Sequence, residues 1–433
     1  MTTSNDTDSS ASVVLKYYLY RAVGNPGFIM PIYTLYLLAN GVSFAQIGVI
    51  GTIQAVIVVG GELPTGYVGD RIGRRNSLLV AQVLFTGSNV CMVLAEGFVG
   101  FTVAFSMLSF ANTFVSGSAD AWLYDILEER LGEDTFTYVK GRGTAVGQWV
   151  MAGTMIAGSL LYVVDHLYPY YAALAMNVVS FAIVASLPKT AQYAGSGGDG
   201  EEDEEDEDGN DRLTVLEAWP IVRDQLSSPT LRPFVVYVAL FFGTTLTVSA
   251  YVQPVAVDAL EASAGPFLAE IGVPEAASLG VLYASFTVVS AVASDRASDL
   301  EAALGVRGAL LVVPFVAAAA FVVPAFVAVA AFPMFFVMRA ARSVLSPIVG
   351  QYLNDRIESV GRATVLSAVS MVYAVARIPF ALASGFVADW FTPMVSVAAL
   401  GAAFAVAGAA MQVWRPPVAR ETDSSVPENA TPE

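Results

Sequence analysis

The chain has 433 residues, of which 55% are hydrophobic and only 14% are charged, and its formal net charge is −17. A soluble globular protein carries roughly 25% charged residues, so this composition excludes an ordinary soluble protein and predicts an all-α polytopic membrane protein. The apolar runs are continuous and lack the alternation of barrel strands, which argues against a transmembrane β-barrel.

The chain has room for about twelve membrane-spanning helices at about 20 residues each. The predicted spans of the first half are residues 13–39, 46–69, 77–96, 100–127, 141–165 and 168–188. Those of the second half are residues 233–258, 275–295, 307–327, 330–353, 361–388 and 393–414. Residues 1–12 and 415–433 are predicted tails, and residues 189–232 form a predicted linker. Residues 1–12 contain no basic residue, so we expect the first span to be a true helix and not a cleaved signal.

The linker carries much of the excess negative charge, because residues 199–211 contain ten carboxylates. This acidic block has no apolar residue to bury and repels itself, so we expect it to be disordered. It can be read as a solvated linker or as a regulatory or partner-binding segment. The acidic excess, with three Lys beside eighteen Arg, also indicates a halophilic protein whose surface charge is screened by a high-salt cytoplasm.

The basic residues predict the orientation of the chain in the membrane. With the N-terminus inside, no predicted outside loop contains Lys or Arg. The opposite orientation would break the positive-inside bias in every loop. Both termini are therefore predicted to be cytoplasmic, in a multi-pass protein of the plasma membrane.

A charged turn lies between the second and third predicted spans. Its fixed positions are Gly66, Asp70, Arg71, Gly73, Arg74 and Arg75, in the pattern G-x-x-x-D-R-x-G-R-R. Glycine lets the backbones approach closely and the chain reverse, and the arginines stay in water on one membrane face. The pattern resembles the loop 2–3 signature of major facilitator superfamily transporters.

The resemblance implies two six-helix bundles related by a pseudo-two-fold axis, with a central cavity that opens to each side in turn. In that family an acid at the inner end of span four pairs with an arginine of the signature, and Asp125 fits that role with Arg74. Asp70 would cap the inner start of span eleven, near residues 361–364. These contacts would lock the two halves in the outward-open state.

Two further phrases, residues 62–66 and 116–125, are similar to those of superfamily members labelled as efflux proteins. Two departures weaken assignment as a drug/proton antiporter. Thr113 stands where the span-four motif of proton-coupled members has an arginine, and the glycine-rich fifth span has no proline.

Three ionisable residues of the first half fall at one depth, about 10–12 Å from the inner face at 1.5 Å per residue. They are Arg21, Glu62 and Asp120. A charge inside a span is costly and usually faces an internal cavity. The three could bind and release a proton during transport, or form a static ion network that seals the inner gate.

The second half has three arginines near the membrane midplane, Arg339, Arg342 and Arg377, with no Asp or Glu in the interior of its spans. They indicate an anionic substrate group, or carboxylates donated by the first half. They could instead bond carbonyls of broken helices or snorkel. Other cavity candidates, by depth and polarity, are Asn25, Tyr33, Gln54, Asn112, Gln148, Trp149, Tyr251, Gln253 and Tyr373.

Enzyme signatures are missing from the sequence. It has no phosphate-binding Gly-x-x-x-x-Gly-Lys loop, and one His with one Cys gives no zinc site. We therefore expect no enzyme activity, no cofactor, no metal and no nucleic-acid partner.

The sequence favours a monomeric secondary transporter of a small organic molecule, working by alternating access as an exporter coupled to protons or another ion. The alternative within transport is uptake or exchange of an organic anion. An alternative of another class is a non-transporting membrane sensor on a transporter scaffold.

Overall fold

The structure is a computed structural model, and it describes residues 3–130, 135–189, 228–229, 231–270, 272, 274–357 and 362–418. The predicted acidic block, residues 199–211, lies outside the described residues. Within the described ranges the chain forms fourteen α-helices and no strand. Eleven segments of this part of the chain are long and apolar enough to cross a membrane. The prediction of an all-α polytopic membrane protein is therefore confirmed.

The first half contains seven helices among its described residues. They are α1 (Thr3–Val23), α2 (Tyr33–Ala39), α3 (Phe44–Ile72), α4 (Arg74–Leu94), α5 (Gly97–Arg130), α6 (Phe136–Val164) and α7 (Tyr168–Ala185). The second half contains α8 (Leu231–Val248), α9 (Val252–Glu270), α10 (Glu275–Asp295), α11 (Ala297–Val322), α12 (Ala331–Asn354), α13 (Arg362–Trp390) and α14 (Pro393–Trp414). Short 3₁₀ turns lie at Ser249–Tyr251, Val323–Ala325 and Ala328–Ala330.

The first predicted span, residues 13–39, is not one continuous helix. α1 ends at Val23, and α2 begins only at Tyr33. Pro26 and Pro31 fall in the break, where they cannot donate the backbone hydrogen bonds of a helix. The amide of Gly27 instead donates to Thr154 Oγ1 of α6 at 2.8 Å, so the irregular segment is bound to a neighbouring helix.

The described residues form two compact units. Unit 1 is drawn from residues 1–209, 251–287 and 381–390, and unit 2 from residues 210–250, 288–380 and 391–433. Each unit therefore combines segments that are distant in sequence.

Unit 1 has a buried cluster at each end of its helices. One cluster contains Leu78, Trp122 and Leu127, beside the turn that carries residues 66–75, and we call this the signature end. The other cluster contains Leu37, Phe101 and Tyr170, and we call this the opposite end. Since successive helices run in alternate directions, these two clusters anchor the helices of the unit at both ends.

Unit 2 has a core of aromatic and branched side chains contributed by α8, α11, α12, α13 and α14. Its largest buried members include Phe234, Tyr237, Tyr352 and Phe404, with Phe234 lying against Tyr352 at 4.1 Å between ring centroids. Such aromatic contacts bury large apolar areas between neighbouring helices.

Much of the remaining surface is apolar. Leu160, Val316 and Val406 are more than half exposed, as expected for side chains that face lipid hydrocarbon. Trp390 and Trp414 are each the last residue of a helix, and they are 77% and 81% exposed. Tryptophan is enriched at the membrane–water interface, so these positions are consistent with helix ends at the two surfaces.

Candidate functional site

The signature turn is built on a break between α3 and α4. Gly73 adopts φ +87°, a left-handed conformation that favours glycine, and α4 begins at the next residue. Arg74 Nε lies 2.8 Å from Asp125 Oδ2 of α5, and both side chains are at most 20% exposed. The structure thus brings together the two residues that the family resemblance paired.

Other members of the signature serve different contacts. Arg75 donates to the carbonyl oxygens of Val184 and Ala185 at the C-terminal end of α7. Arg71 is exposed and lies over the ring of Tyr67, 5.3 Å from its centroid. Gly66 lies in α3 with open space where a Cβ would be. Asp70 lies in the last turn of α3, and its side chain is outside the described residues.

The C-terminal end of α7 receives two more donors that sequence reasoning missed. Lys16 Nζ donates to Ser186 O at 2.9 Å, and Trp122 Nε1 donates to Pro188 O at 3.1 Å. Cations near the last carbonyls of a helix satisfy unpaired acceptors and favour the helix dipole. The signature therefore fixes α7 through Arg75 as well as α5 through Arg74. The spacing of residues along the chain gives no sign of these partners.

The three coupling candidates have different surroundings. Arg21 is half buried in the last turn of α1, beside Gly147 of α6. Asp120 is exposed and forms an ion pair with Lys140 Nζ of α6 at 2.8 Å. Both Arg21 and Asp120 lie within electrostatic range of Tyr17. Glu62 is half buried on α3. The contact between Asp120 and Lys140 was not predicted from the sequence.

Gln253 of α9 lies at the opposite end of unit 1 and is fully buried. Its Oε1 accepts from the amides of Thr34 and Leu35 at 2.7 and 3.3 Å, at the start of α2. Its Nε2 donates to Met30 O at 2.9 Å and to Tyr283 Oη at 3.3 Å. The side chain therefore caps a helix of the first half from a helix of the second half.

Tyr251 makes a second contact at the same end. Its hydroxyl donates to Ser384 Oγ of α13 at 2.9 Å, and both residues are buried. Its ring stacks on Phe44 at the start of α3, with 5.7 Å between centroids. Both Tyr251 and Gln253 were predicted to line a substrate cavity, and in this structure their polar groups bind within the protein.

The remaining first-half cavity candidates lie in mixed environments. Tyr33 and Gln54 are half buried, and Tyr33 makes an edge contact with Phe105 at 6.1 Å between centroids. The exposed candidates are Asn25, Asn112, Gln148 and Trp149. Trp149 is 76% exposed, so little of this large side chain is packed within the protein.

The three arginines of the second half gather within unit 2. Arg339 and Arg342 are half buried on α12, Arg377 is half buried on α13, and Arg342 lies within electrostatic range of the other two. One turn before Arg377, Tyr373 stacks on Phe242 of α8 at 5.4 Å between centroids. Helices α8, α12 and α13 together position this group, which we call the arginine cluster.

Two buried hydroxyl groups belong to the helices that position the arginine cluster. Tyr373 Oη and Thr244 Oγ1 are buried and have no hydrogen-bond partner among the described residues. Gly243 packs against the backbone of α13 at Ala376 and Arg377, which brings α8 close to the cluster. The cluster thus combines concentrated positive charge with spare hydrogen-bonding groups, the chemistry that binds an anion.

The protein belongs to the Major Facilitator Superfamily, since the model of that family matches residues 22–378. A relative from Bacillus subtilis (strain 168), described as the uncharacterized MFS-type transporter YxaM, is 23% identical over 268 residues. That alignment covers 60% of this chain and 58% of the relative. The chain thus spans less than two thirds of that relative. The resemblance of the signature turn to this superfamily is confirmed.

Solved structures show the same fold. The nucleoside transporter NupG superposes with a TM-score of 0.73, at 14% identity, over 93% of this chain and 98% of that one. A bacterial homologue of the lysosomal transporter Spinster gives a TM-score of 0.64, at 13% identity, over 94% and 93% of the two chains. The predicted superfamily fold is therefore confirmed, in a multi-pass membrane protein.

Proposed function

We propose that this protein is a secondary transporter that carries a small organic molecule with an anionic group by alternating access. Superfamily membership supports a transport function. The arginine cluster is the observation that supports an anionic substrate. Three guanidinium groups placed together inside a membrane protein repel one another, and an anion relieves that repulsion. A planar guanidinium also matches a carboxylate or phosphate in a bidentate geometry.

The sequence around the cluster strengthens this proposal. Neither α12 from Ala331 to Leu353 nor α13 from Arg362 to Ala388 contains an acidic residue, so the sequence of these two segments carries positive charge alone. The buried hydroxyl groups of Tyr373 and Thr244 supply further donors for a polar ligand. A cavity for a drug-sized molecule typically combines apolar walls with a few such polar groups.

Coupling and direction complete the proposal. Asp120 is exposed, whereas Glu62 is half buried on α3, so Glu62 is the better candidate for a carboxyl group that takes up and releases a proton inside the membrane. The phrases at residues 62–66 and 116–125 favour export. We place both termini in the cytoplasm and the protein in the plasma membrane, because this orientation satisfies the positive-inside bias.

The experiment is a thermal-shift screen of the purified protein against organic anions, neutral metabolites and lipophilic cations. A ligand that binds the folded state raises the melting temperature by mass action. At a concentration of 100 times its Kd, the ligand adds about 2.7 kcal/mol to the free energy of unfolding. We expect organic anions to stabilise the protein and Arg342→Gln to abolish the shift. Arg356→Gln is the matched control, because Arg356 follows the same helix but lies over the ring of Tyr352.

Three results would count against the proposal. Stabilisation by cations that is indifferent to Arg342→Gln would favour a drug exporter. Equal loss of anion and cation binding in Arg342→Gln would give the residue a structural role. Binding of anions without any flux in proteoliposomes would favour the membrane sensor over the transporter.

A further inference from the structure

Asp389 lies in the last turn of α13 and binds the start of another helix at the opposite end of unit 1. Its Oδ1 accepts from the amide of Phe44 at 2.8 Å, and its Oδ2 accepts from the amide of Ala45 at 2.9 Å. Phe44 and Ala45 are the first two residues of α3. The first amides of a helix have no partner within the helix, and the positive end of its dipole favours a carboxylate.

The start of α3 also has a cap of its own. Ser43 Oγ accepts from the amide of Gln46, and the Gln46 side chain accepts from the amide of Ser43 in a capping box. This local cap leaves the amides of Phe44 and Ala45 for Asp389. The two caps therefore bind different amides of the first turn, and α3 keeps its local cap when it separates from α13.

Two glycines allow the helices to approach closely enough for this contact. A Cβ on Gly48 of α3 would collide with Ala381 O of α13, and a Cβ on Gly385 of α13 would collide with Phe44 O of α3. Gly385 lies one turn before Asp389, on the same helix face. The Tyr251–Ser384 hydrogen bond lies beside the same contact.

We propose that Asp389 is a positioning residue that latches α3 to α13 at the opposite end and is released once in each transport cycle. The inference rests on the proposed alternating-access function. A carboxylate suits a reversible latch, because water can replace both amides when the helices part. An apolar contact of the same area would instead expose hydrophobic surface to water.

The test measures how readily the latch opens, in purified protein and without any substrate. The reporter is Ser384→Cys in a Cys91→Ser background, because Ser384 is 3% exposed beneath the latch and Cys91 is the chain's own thiol. The rate of maleimide modification of the reporter rises with the population of the unlatched state. Asp389→Asn removes the charge and keeps the size of the side chain.

We expect Asp389→Asn to raise the labelling rate about tenfold, because asparagine keeps one acceptor oxygen but loses the second accepted hydrogen bond and the charge at the positive end of the helix dipole. The matched control is Asp165→Asn, because Asp165 is also exposed at this end but its side chain accepts from the nearby amide of Leu167, two residues away. This control should stay within about twofold of the reporter protein, as surface changes usually do. Gly385→Ala, which keeps Asp389 but wedges the helices apart, should also speed labelling and provides a second variant if Asp389→Asn does not fold.

An unchanged labelling rate in Asp389→Asn, or an equal rise in Asp165→Asn, would overturn the proposal that Asp389 latches the two helices. If Asp389→Asn does not fold, a labelling rate in Gly385→Ala equal to that of the reporter protein would overturn the proposal. The labelling needs neither a substrate nor the arginine cluster. Loss of the proposed substrate class would therefore appear only in the ligand screen, and loss of the latch only in the labelling rate.

Discussion

At the scale of single residues, two ion pairs join helices of the first half, one between α4 and α5 and one between α5 and α6. Arg74 and Asp125 meet as the family resemblance implies, in an ion pair at most 20% exposed. Asp120 meets Lys140 of α6. Depth along a span follows from counting residues, but the partner of a side chain also depends on the rotation of each helix about its axis. The sequence pattern of one helix does not contain that rotation.

Glu62 gives a prediction at this scale. Glu62→Gln keeps the shape of the side chain but cannot release a proton, so flux driven by a pH gradient should be lost while exchange of substrate across the membrane remains. The measurement compares both fluxes in the same proteoliposomes. Glu96→Gln is the control, because Glu96 is an exposed carboxylate between α4 and α5.

The outcome shows whether Glu62 takes part in proton coupling or supports the transport cycle as a whole. Driven flux that survives in Glu62→Gln would remove the residue from the coupling mechanism. Loss of both driven flux and exchange would show that Glu62 supports the transport cycle itself.

At the scale of helices, the sequence marked those helix ends at which a glycine or a proline occurs. Gly73 ends α3 at the signature as expected. Pro26 and Pro31 also mark the break between α1 and α2, but the length of the apolar run led to the prediction of one span. One contact that replaces the missing helical bonds is between Gln253 and Thr34, 219 residues apart. No local pattern predicts such a partner.

Gln253 gives a prediction about this break. Gln253→Ala removes the acceptor for the first amides of α2 and leaves buried groups unsatisfied, which costs about 1–3 kcal/mol. Hydrogen exchange at Thr34 and Leu35 follows the opening of α2 and should therefore quicken by about 5- to 160-fold. The measurement is exchange mass spectrometry of the peptide that covers residues 30–37.

Gln148→Ala is the matched control, because Gln148 is an exposed glutamine on α6. Its exchange over residues 30–37 should equal that of the unmodified protein. Unchanged exchange in Gln253→Ala would mean that packing of α2 against Phe101 and Tyr170, and not the glutamine cap, holds this helix in place.

At the scale of the whole molecule, composition and apolar length predicted the all-helical membrane fold, and one six-position signature predicted the superfamily. The arginine cluster was predicted from depth and the absence of nearby acids. Its assembly with Tyr373 and Phe242 required the packing of α8 against α13. Long-range packing of this kind was beyond sequence patterns, as was the grouping of residues 251–287 and 381–390 with the first half in unit 1.

The orientation of the molecule gives a last prediction. The connections at the opposite end, residues 40–43, 95–97, 165–167 and 391–392, contain acids but no Lys or Arg, whereas the signature end contains Arg71, Arg74, Arg75 and Lys140. Basic loops are retained in the cytoplasm. In a Cys91→Ser background, an impermeant maleimide should therefore label Ala262→Cys in intact cells. Ser196→Cys in the linker should be labelled only after permeabilisation. The reverse pattern would place the signature outside, so that the Asp389 latch would close the cytoplasmic side and the proposed direction of transport would lose its basis.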